Sequence, residues 1–294
     1  MSIPCYLFRL NAGRNDRKRD QAIPLPQGVT ECRNISYGEY GKWNRLDVYF
    51  PTGTTAPLPT IVSIHGGGYV YGTKETYRRY CMDLARRGFS VINFTYRLAP
   101  EWKFPTPLVD TTAVLNWMCE NAETYHLDPN NLFLVGDSAG AQLASQYATI
   151  ATNPQYASLF DFTVPQMTIR GVGLNCGLYD TGVLAFPESR PMAKAYLGKH
   201  IAFNDPRLMV QNNITDAFPP AHITTAYHDF LRDAAAPMAD LLRQKGIPVK
   251  QICYGSKNQP EIQHVFHVNI RLPEAIRCND DQCAFFRSLI EQKA

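Results

Sequence analysis

At Gly136-Asp137-Ser138-Ala139-Gly140 a serine is flanked by a glycine two residues to each side. The apolar run Leu132-Phe133-Leu134-Val135 precedes it, and Ala141, Leu143, Ala144 and Tyr147 follow at positions that suit a helix. A strand, a tight turn and a helix with serine at the apex lift the hydroxyl above the sheet as a nucleophile. Side chains at Gly136 and Gly140 would collide with the neighbouring strand and helix. The helix N-terminus then aims free N–H groups and its positive dipole end at any negative charge forming beside Ser138. A bland Gly/Ser turn has the same five residues, so the reading depends on whether the chain supplies a base, an acid and an oxyanion site.

A serine hydroxyl needs a base within hydrogen-bond reach, and the base needs an acid to fix its tautomer. In open α/β sheets such groups sit at the carboxyl ends of strands. Asp229 directly follows a strand run and Asp233 lies one helical turn later. Asp229 is the better placed, and Asp233 fits a first-turn helix residue favoured by the dipole. His264 and His267 both fall after the last strand; His264 comes first and is favoured, with His267 the alternative. Ser…Asp…His is one of the chain orders in which such a triad occurs. His65-Gly66-Gly67-Gly68 closes another strand run. Three bare glycines there let N–H groups approach a ligand oxygen, the composition of an oxyanion-hole loop. His65 is expected to brace that loop through backbone hydrogen bonds. His222 and His228 are expected to be satisfied structural groups, and His126 and His200 turn or cap residues.

The elements that must carry these residues follow from periodicity. Strands are expected over 32–37, 45–50, 60–64, 89–96, 132–135, 167–174, 222–227 and 248–254. Helices are expected over 74–87, 107–122, 232–244 and 282–293, with a further one within 191–197. Pro237 is tolerable only in a first helical turn. His126 to Pro129 reads as a turn and 153–162 as irregular. From Thr60 onward strands and helices alternate, which predicts an α/β class with a mostly parallel sheet covered on both faces. The polar residues 1–30 suit a mobile arm or a helical cover. The long insert over 175–220 is of a length that carries function or covers a site. The expectation is a single domain over 1–294 with a cap from about 1–30 and about 175–220.

The 294 residues carry a net charge of +3, too little to argue for nucleic acid, and Asp16 interrupts the basic run from Arg14 to Arg19. No apolar run approaches the ~20 residues of a membrane helix, and no signal peptide is visible. The expected location is cytoplasmic, without a membrane or nucleic-acid partner. The eight cysteines lack metal-ligand spacing and are expected to be free thiols, several of them in the core. HExxH-like spacing is absent as well, so neither a metal nor a cofactor is expected.

Taken together, His65-Gly66-Gly67-Gly68, Tyr96-Arg97-Leu98-Ala99-Pro100-Glu101, Gly136-Asp137-Ser138-Ala139-Gly140, Asp229-Phe230-Leu231-Arg232-Asp233 and His264-Val265-Phe266 occur in that order. Over about 32–290 the chain resembles the hormone-sensitive-lipase-like esterases of the α/β-hydrolase superfamily. The resemblance implies an α/β-hydrolase fold with an eight-stranded sheet. It implies Ser138 as nucleophile, His264 as base, Asp229 as its partner, and oxyanion N–H groups from Gly67, Gly68 and Ala139. It implies hydrolysis of small-molecule carboxylic esters through an acyl-enzyme. Carbohydrate ester deacetylation, lipase or amidase activity and a non-catalytic receptor are the alternatives. Homodimerisation through the edge strand near 249–254 is implied by analogy only. The chain departs from the family pattern twice: Asp-Pro-Leu becomes Asp229-Phe230-Leu231, and His-Gly-Phe becomes His264-Val265-Phe266. Val265 narrows the backbone conformations next to the base. Tyr69, Tyr71 and Trp102 are the aromatic candidates for shaping a pocket.

Overall fold

Eight stretches rich in β-branched and aromatic residues pair into one sheet in the computed structural model, which describes residues 2–21, 23–179 and 190–291. They are β1 (Val29–Ser36), β2 (Arg45–Pro51), β3 (Leu58–Ile64), β4 (Ser90–Phe94), β5 (Leu127–Asp137), β6 (Ile169–Asn175), β7 (Ala221–Ala226) and β8 (Val249–Tyr254). Their order in the sheet is β1-β2-β4-β3-β5-β6-β7-β8. β2 runs antiparallel to both its neighbours, and every pair from β4 to β8 is parallel. This is the α/β-hydrolase fold with its mostly parallel eight-stranded sheet.

The helices are α1 (Ile3–Gln21), α2 (Lys74–Ala85), α3 (Thr106–Glu120), α4 (Ala139–Thr152), α5 (Pro154–Ala157), α6 (Arg190–Leu197), α7 (Val210–Asn213), α8 (Ala235–Gln244) and α9 (Pro273–Glu291). Successive side chains on a strand point to opposite faces, and the core divides accordingly. Val62, Ile64, Ile92, Phe94, Leu132 and Leu134 pack with α3, α4 and α8 on one face. Ile61, Val91, Phe133 and Val135 pack with α2 and α9 on the other. β5 lies between β3 and β6 near the middle of the sheet, so the turn at its end is held from both sides.

The boundaries depart from expectation where local signals mislead. Residues 3–21 are helical although only Cys5 is buried among them. β5 begins at Leu127, through the Asp128-Pro129 stretch read as a turn, because Leu127 and Asp128 pair with Leu58 and Pro59 across a register shift. The terminal helix starts at Pro273 rather than 282. The stretch 153–162 holds α5, started by Asn153, whose side chain accepts from the Tyr156 N–H at 3.1 Å. Pro237 does fall in the first turn of α8, after a short 3-10 turn at Arg232–Ala234. Residues 180–189 of the insert lie outside the described residues.

Gly136 and Gly140 let α4 cross the end of the sheet at backbone contact. A Cβ on Gly136 would strike the Gly140 carbonyl, and one on Gly140 would strike the carbonyl of Ile64. By contrast, a Cβ on Gly13 of α1 would meet nothing closer than 3.8 Å. Gly136→Ala should therefore lower the unfolding free energy by about 3 kcal/mol or more. Gly13→Ala should raise it by up to about 1 kcal/mol. Urea unfolding of the two variants beside the wild type checks both, and equal effects would contradict the packing described.

Candidate active site

Ser138 sits between the end of β5 and the first residue of α4, at φ 53° and ψ −119°. A non-glycine residue held there costs about 1–3 kcal/mol. The strain persists because both backbone groups are tied. The Ser138 N–H donates to the Asn175 carbonyl at 3.0 Å, and its carbonyl accepts from Gln142 at 3.2 Å and Leu178 at 3.3 Å. Asn175 ends β6, so the neighbouring strand fixes the turn.

Asp229 follows β7 in a tight turn in which its N–H donates to the Ala226 carbonyl. Its carboxylate accepts from the Leu231 N–H at 2.9 Å and the Thr225 hydroxyl at 3.0 Å. His264 Nδ1 lies 2.8 Å from Asp229 Oδ1. Because a carboxylate only accepts, Nδ1 carries a proton, and in the neutral ring Nε2 is then the nitrogen with the free lone pair. Burial pushes the Asp229 carboxyl up, but the bond from His264 and the Leu231 N–H bring it below the usual carboxylate range. The strand-like bridge between His228 and Gln263 sets the two segments side by side. Val265 follows His264 at φ 53° and ψ 31°. That left-handed conformation is a genuine outlier for a β-branched residue, which makes the departure from His-Gly-Phe a strained one.

The structure thus brings His264 to Asp229 and leaves the other candidates apart. His267 is buried against Tyr80, and among the described residues neither of its ring nitrogens has a partner. Burial lowers it to about 3, so it is neutral. Asp233 is exposed and pairs with Arg232 at 3.2 Å. His222 is buried without a hydrogen-bond partner among the described residues, contrary to the expectation of a satisfied group. It is packed against Phe285 beneath α9, where burial lowers it to about 3. His228 does contact the Lys257 carbonyl, at 3.2 Å.

Ser138, Ala139, His264 and Gly66 to Gly68 line one cleft of about 820 Å³. Ser138 Oγ and His264 Nε2 make no hydrogen bond to each other in this conformation, a contact that commonly tightens only around substrate. Among the described residues neither the Gly67 nor the Gly68 N–H has a hydrogen-bond partner. The loop is shaped from below by His65, whose Nδ1 contacts the Gly66 carbonyl at 2.8 Å and whose ring stacks on Tyr96 at 4.0 Å. Burial lowers His65 to about 4, so it too is neutral. Gly67, at φ 110°, would drive a side chain into the Tyr71 carbonyl.

In and around the cleft, Arg9 and Tyr77 carried no signal in the sequence, and Tyr71 showed only as an aromatic candidate for the pocket. Arg9 of α1 donates to the carbonyls of Val70 at 2.6 Å and Ala99 at 2.7 Å, pinning the glycine loop from above. Tyr71 donates to Asp16 at 2.7 Å, again tying the loop to α1. Tyr77 accepts from the Gly66 N–H at 3.1 Å and donates to Asp137 at 2.7 Å. Tyr69 and Tyr71 both line the cleft, whereas Trp102 packs on Trp43 with ring centroids 5.4 Å apart. Among the described residues, one group (Cys176, Asp229 and His264) places three metal-type donor atoms within 4.8 Å of one another. Asp229 and His264 engage each other there and the thiol is buried, so the group forms the surroundings of that pair.

Residues 61–268 match the alpha/beta hydrolase fold family, and the chain belongs to it. Its glycine loop, its elbow and its relatives place it with the hormone-sensitive-lipase-like carboxylesterases. It is 29% identical to the versiconal hemiacetal acetate esterase of Dothistroma septosporum, over 92% of this chain and 84% of that one. It is likewise 29% identical to carboxylesterase NlhH of Mycobacterium tuberculosis, over 84% and 78%. Among solved structures it is similar in fold to esterase B of Lactobacillus rhamnosis, with a TM-score of 0.91 and 24% identity, covering 98% and 96% of the two chains. The TM-score of 0.91 is to that enzyme with an inhibitor bound.

Asp137, beside Ser138, is fully buried, and burial raises its carboxyl from 3.8 to about 6 despite the bond from Tyr77. The folded state therefore holds an extra proton between about pH 4 and pH 6. Stability contributed by this position is present at the acid end and lost as the pH rises through about 6. The unfolding free energy of the wild type relative to Asp137→Asn should fall by about 2 kcal/mol between pH 4 and pH 7. Denaturant titrations across that range check this, and a flat or rising difference would contradict it.

Proposed function

We propose that the protein is a serine carboxylesterase that hydrolyses short-chain acyl esters through an acyl-enzyme, with Ser138 as nucleophile, His264 as base and Asp229 as its partner. The observation that carries the reading is the 2.8 Å contact of His264 Nδ1 with Asp229 in a cleft that Ser138 also lines. With Nδ1–H held by the carboxylate, Nε2 takes the Ser138 proton as Oγ attacks the ester carbonyl. The Gly67, Gly68 and Ala139 N–H groups receive the oxyanion, at the positive end of α4. As the intermediate collapses, His264 passes its proton to the departing alcohol. Water then repeats the sequence on the acyl-enzyme.

Relatives named as a carboxylesterase and an acetate esterase support a short-chain ester substrate over carbohydrate deacetylation. No helix among the described residues is long and apolar enough to cross a membrane. α1 and the described parts of the 175–220 insert act as a cap in this proposal. Cys5 reaching the Pro191 carbonyl at 3.5 Å, and Phe8 and Met192 both facing the cleft, support that role. β8 ends the sheet, and its outer edge is the surface for the proposed homodimer.

A p-nitrophenyl ester series from acetate to palmitate tests the reaction. Turnover should peak at short chains. Ser138→Ala should lower kcat by ~10⁴–10⁶ and Asp229→Asn by ~10⁴. Full activity in Ser138→Ala, or activity confined to long chains, would contradict the proposal.

A further inference from the structure

Phe230 is the residue at the cleft that packing leaves unexplained. It is 77% exposed, a costly position for a large apolar ring, while its neighbour Asp229 is buried. Its ring lies on the His264 imidazole, with centroids 4.3 Å apart and planes tilted by 46°. It also lines the cleft. An apolar ring exposed within a cleft is surface that a ligand bound there would remove from water.

The ring is not free to wander. It projects from the tip of the turn that holds Asp229. That turn is closed by the Arg232 N–H donating to the Asp229 carbonyl at 3.1 Å and by the Leu231 N–H donating to the Asp229 side chain at 2.9 Å. The backbone on either side of the tip is therefore fixed, and it carries Phe230 at the edge of the cleft beside the base. This is also the position at which the chain departs from Asp-Pro-Leu.

What would cover the ring follows from the chemistry of the base. His264 Nδ1 is taken by Asp229, so Nε2 is the nitrogen that delivers the proton to the departing alcohol oxygen. The carbon attached to that oxygen then lies one bond beyond an atom in hydrogen-bond reach of the imidazole, in the cleft that Phe230 and His264 both line. The acyl carbon is bonded to that oxygen as well, but its place is set by Ser138 Oγ and the N–H groups of Gly67, Gly68 and Ala139, which leaves the alcohol as the half that settles against Phe230. We infer that Phe230 is a specificity-determining residue for the alcohol half of the ester, and that the enzyme favours esters of aromatic alcohols. An aromatic alcohol stacks on or edges against Phe230 while its oxygen remains at Nε2. A one- or two-carbon alcohol reaches the same oxygen position and leaves the ring wet. This inference rests on the esterase reading above.

Benzyl acetate and ethyl acetate provide the test. Both form the same acetyl-enzyme, so deacylation is common to them and the ratio of their kcat/KM values reports the alcohol alone. An effect of Phe230 on the orientation or charge of His264 acts on both substrates and cancels in the ratio. In Phe230→Ala the benzyl-to-ethyl ratio should fall about three- to tenfold, the worth of one aromatic contact. Phe230→Trp should retain the preference. Benzyl alcohol added as product should inhibit the wild type more strongly than the alanine variant. The high exposure of the side chain makes loss of folding an implausible cause of any change, and a thermal melt of each variant checks that. A ratio that stays within twofold of the wild-type value, with both esters still hydrolysed, overturns the inference alone. Folded wild-type protein that hydrolyses neither these acetates nor any p-nitrophenyl ester overturns it together with the esterase reading.

Discussion

The site depends on the backbone of one residue. Ser138 occupies a conformation that an L-residue avoids, at φ 53° and ψ −119°, and nothing local rewards it for doing so. What holds it there is the sheet. β6 accepts its N–H, α4 and the segment after β6 donate to its carbonyl, and two glycines allow a helix to begin where a strand has scarcely ended. The strain is confined to about 1–3 kcal/mol, small against the burial of the β5 side chains on both faces of the sheet. In return the hydroxyl stands clear of the backbone with a helix N-terminus beneath it. A hydroxyl on an unstrained loop would have to be ordered on binding; here its order is built into the fold.

The remaining parts are held by contacts of very different reach. The Asp229–His264 pair is assembled from two strand ends that the sheet places side by side, so its order follows from the fold itself. The glycine loop needs more help, since bare backbone has no side chains to pack. Its support comes from below through His65, Tyr77 and Tyr96, and from above through Arg9 and Tyr71. Two of those ties end on α1, the first helix of the chain. A segment that contributes almost nothing to the core therefore helps fix the shape of the proposed oxyanion site. Buried neutral histidines, His65 at about 4 and His267 at about 3, fill space near the proposed base without competing for its proton.

Much of this was legible in the sequence, and what was hidden has physical reasons. The elbow could be read because Gly136 and Gly140 are required by contact, and such requirements appear as residue types at fixed spacing. The sequence favours His264 over His267 because it comes first after the last strand, and it is His264 whose Nδ1 lies 2.8 Å from Asp229. Strand cores such as 60–64 were visible in apolar runs, whereas the start of β5 was hidden because Pro129 normally interrupts a strand and here sits at a register shift. For α1 the sequence does not decide between a mobile arm and a helical cover, because the helix buries only Cys5 and so shows no 3.6-residue stripe. Tyr77 and Arg9 were invisible because their roles arise from tertiary proximity across tens of residues, and Phe230 showed only as a departure from Asp-Pro-Leu, without its place against His264. Val265 shows the opposite limit: the sequence flagged a narrowed backbone beside the base, and the fold holds Val265 in a left-handed conformation that lies outside that narrowed range.

The central claim is that the strained serine at the strand–helix turn is a nucleophile activated by the His264–Asp229 pair. Reaction with an organophosphonate p-nitrophenyl ester, followed by intact-mass measurement and peptide mapping, tests it most directly. The account predicts one covalent adduct per chain, on Ser138, formed slowly or not at all when His264 is replaced by alanine. A label on another residue, or labelling of Ser138 at an unchanged rate without His264, would contradict it.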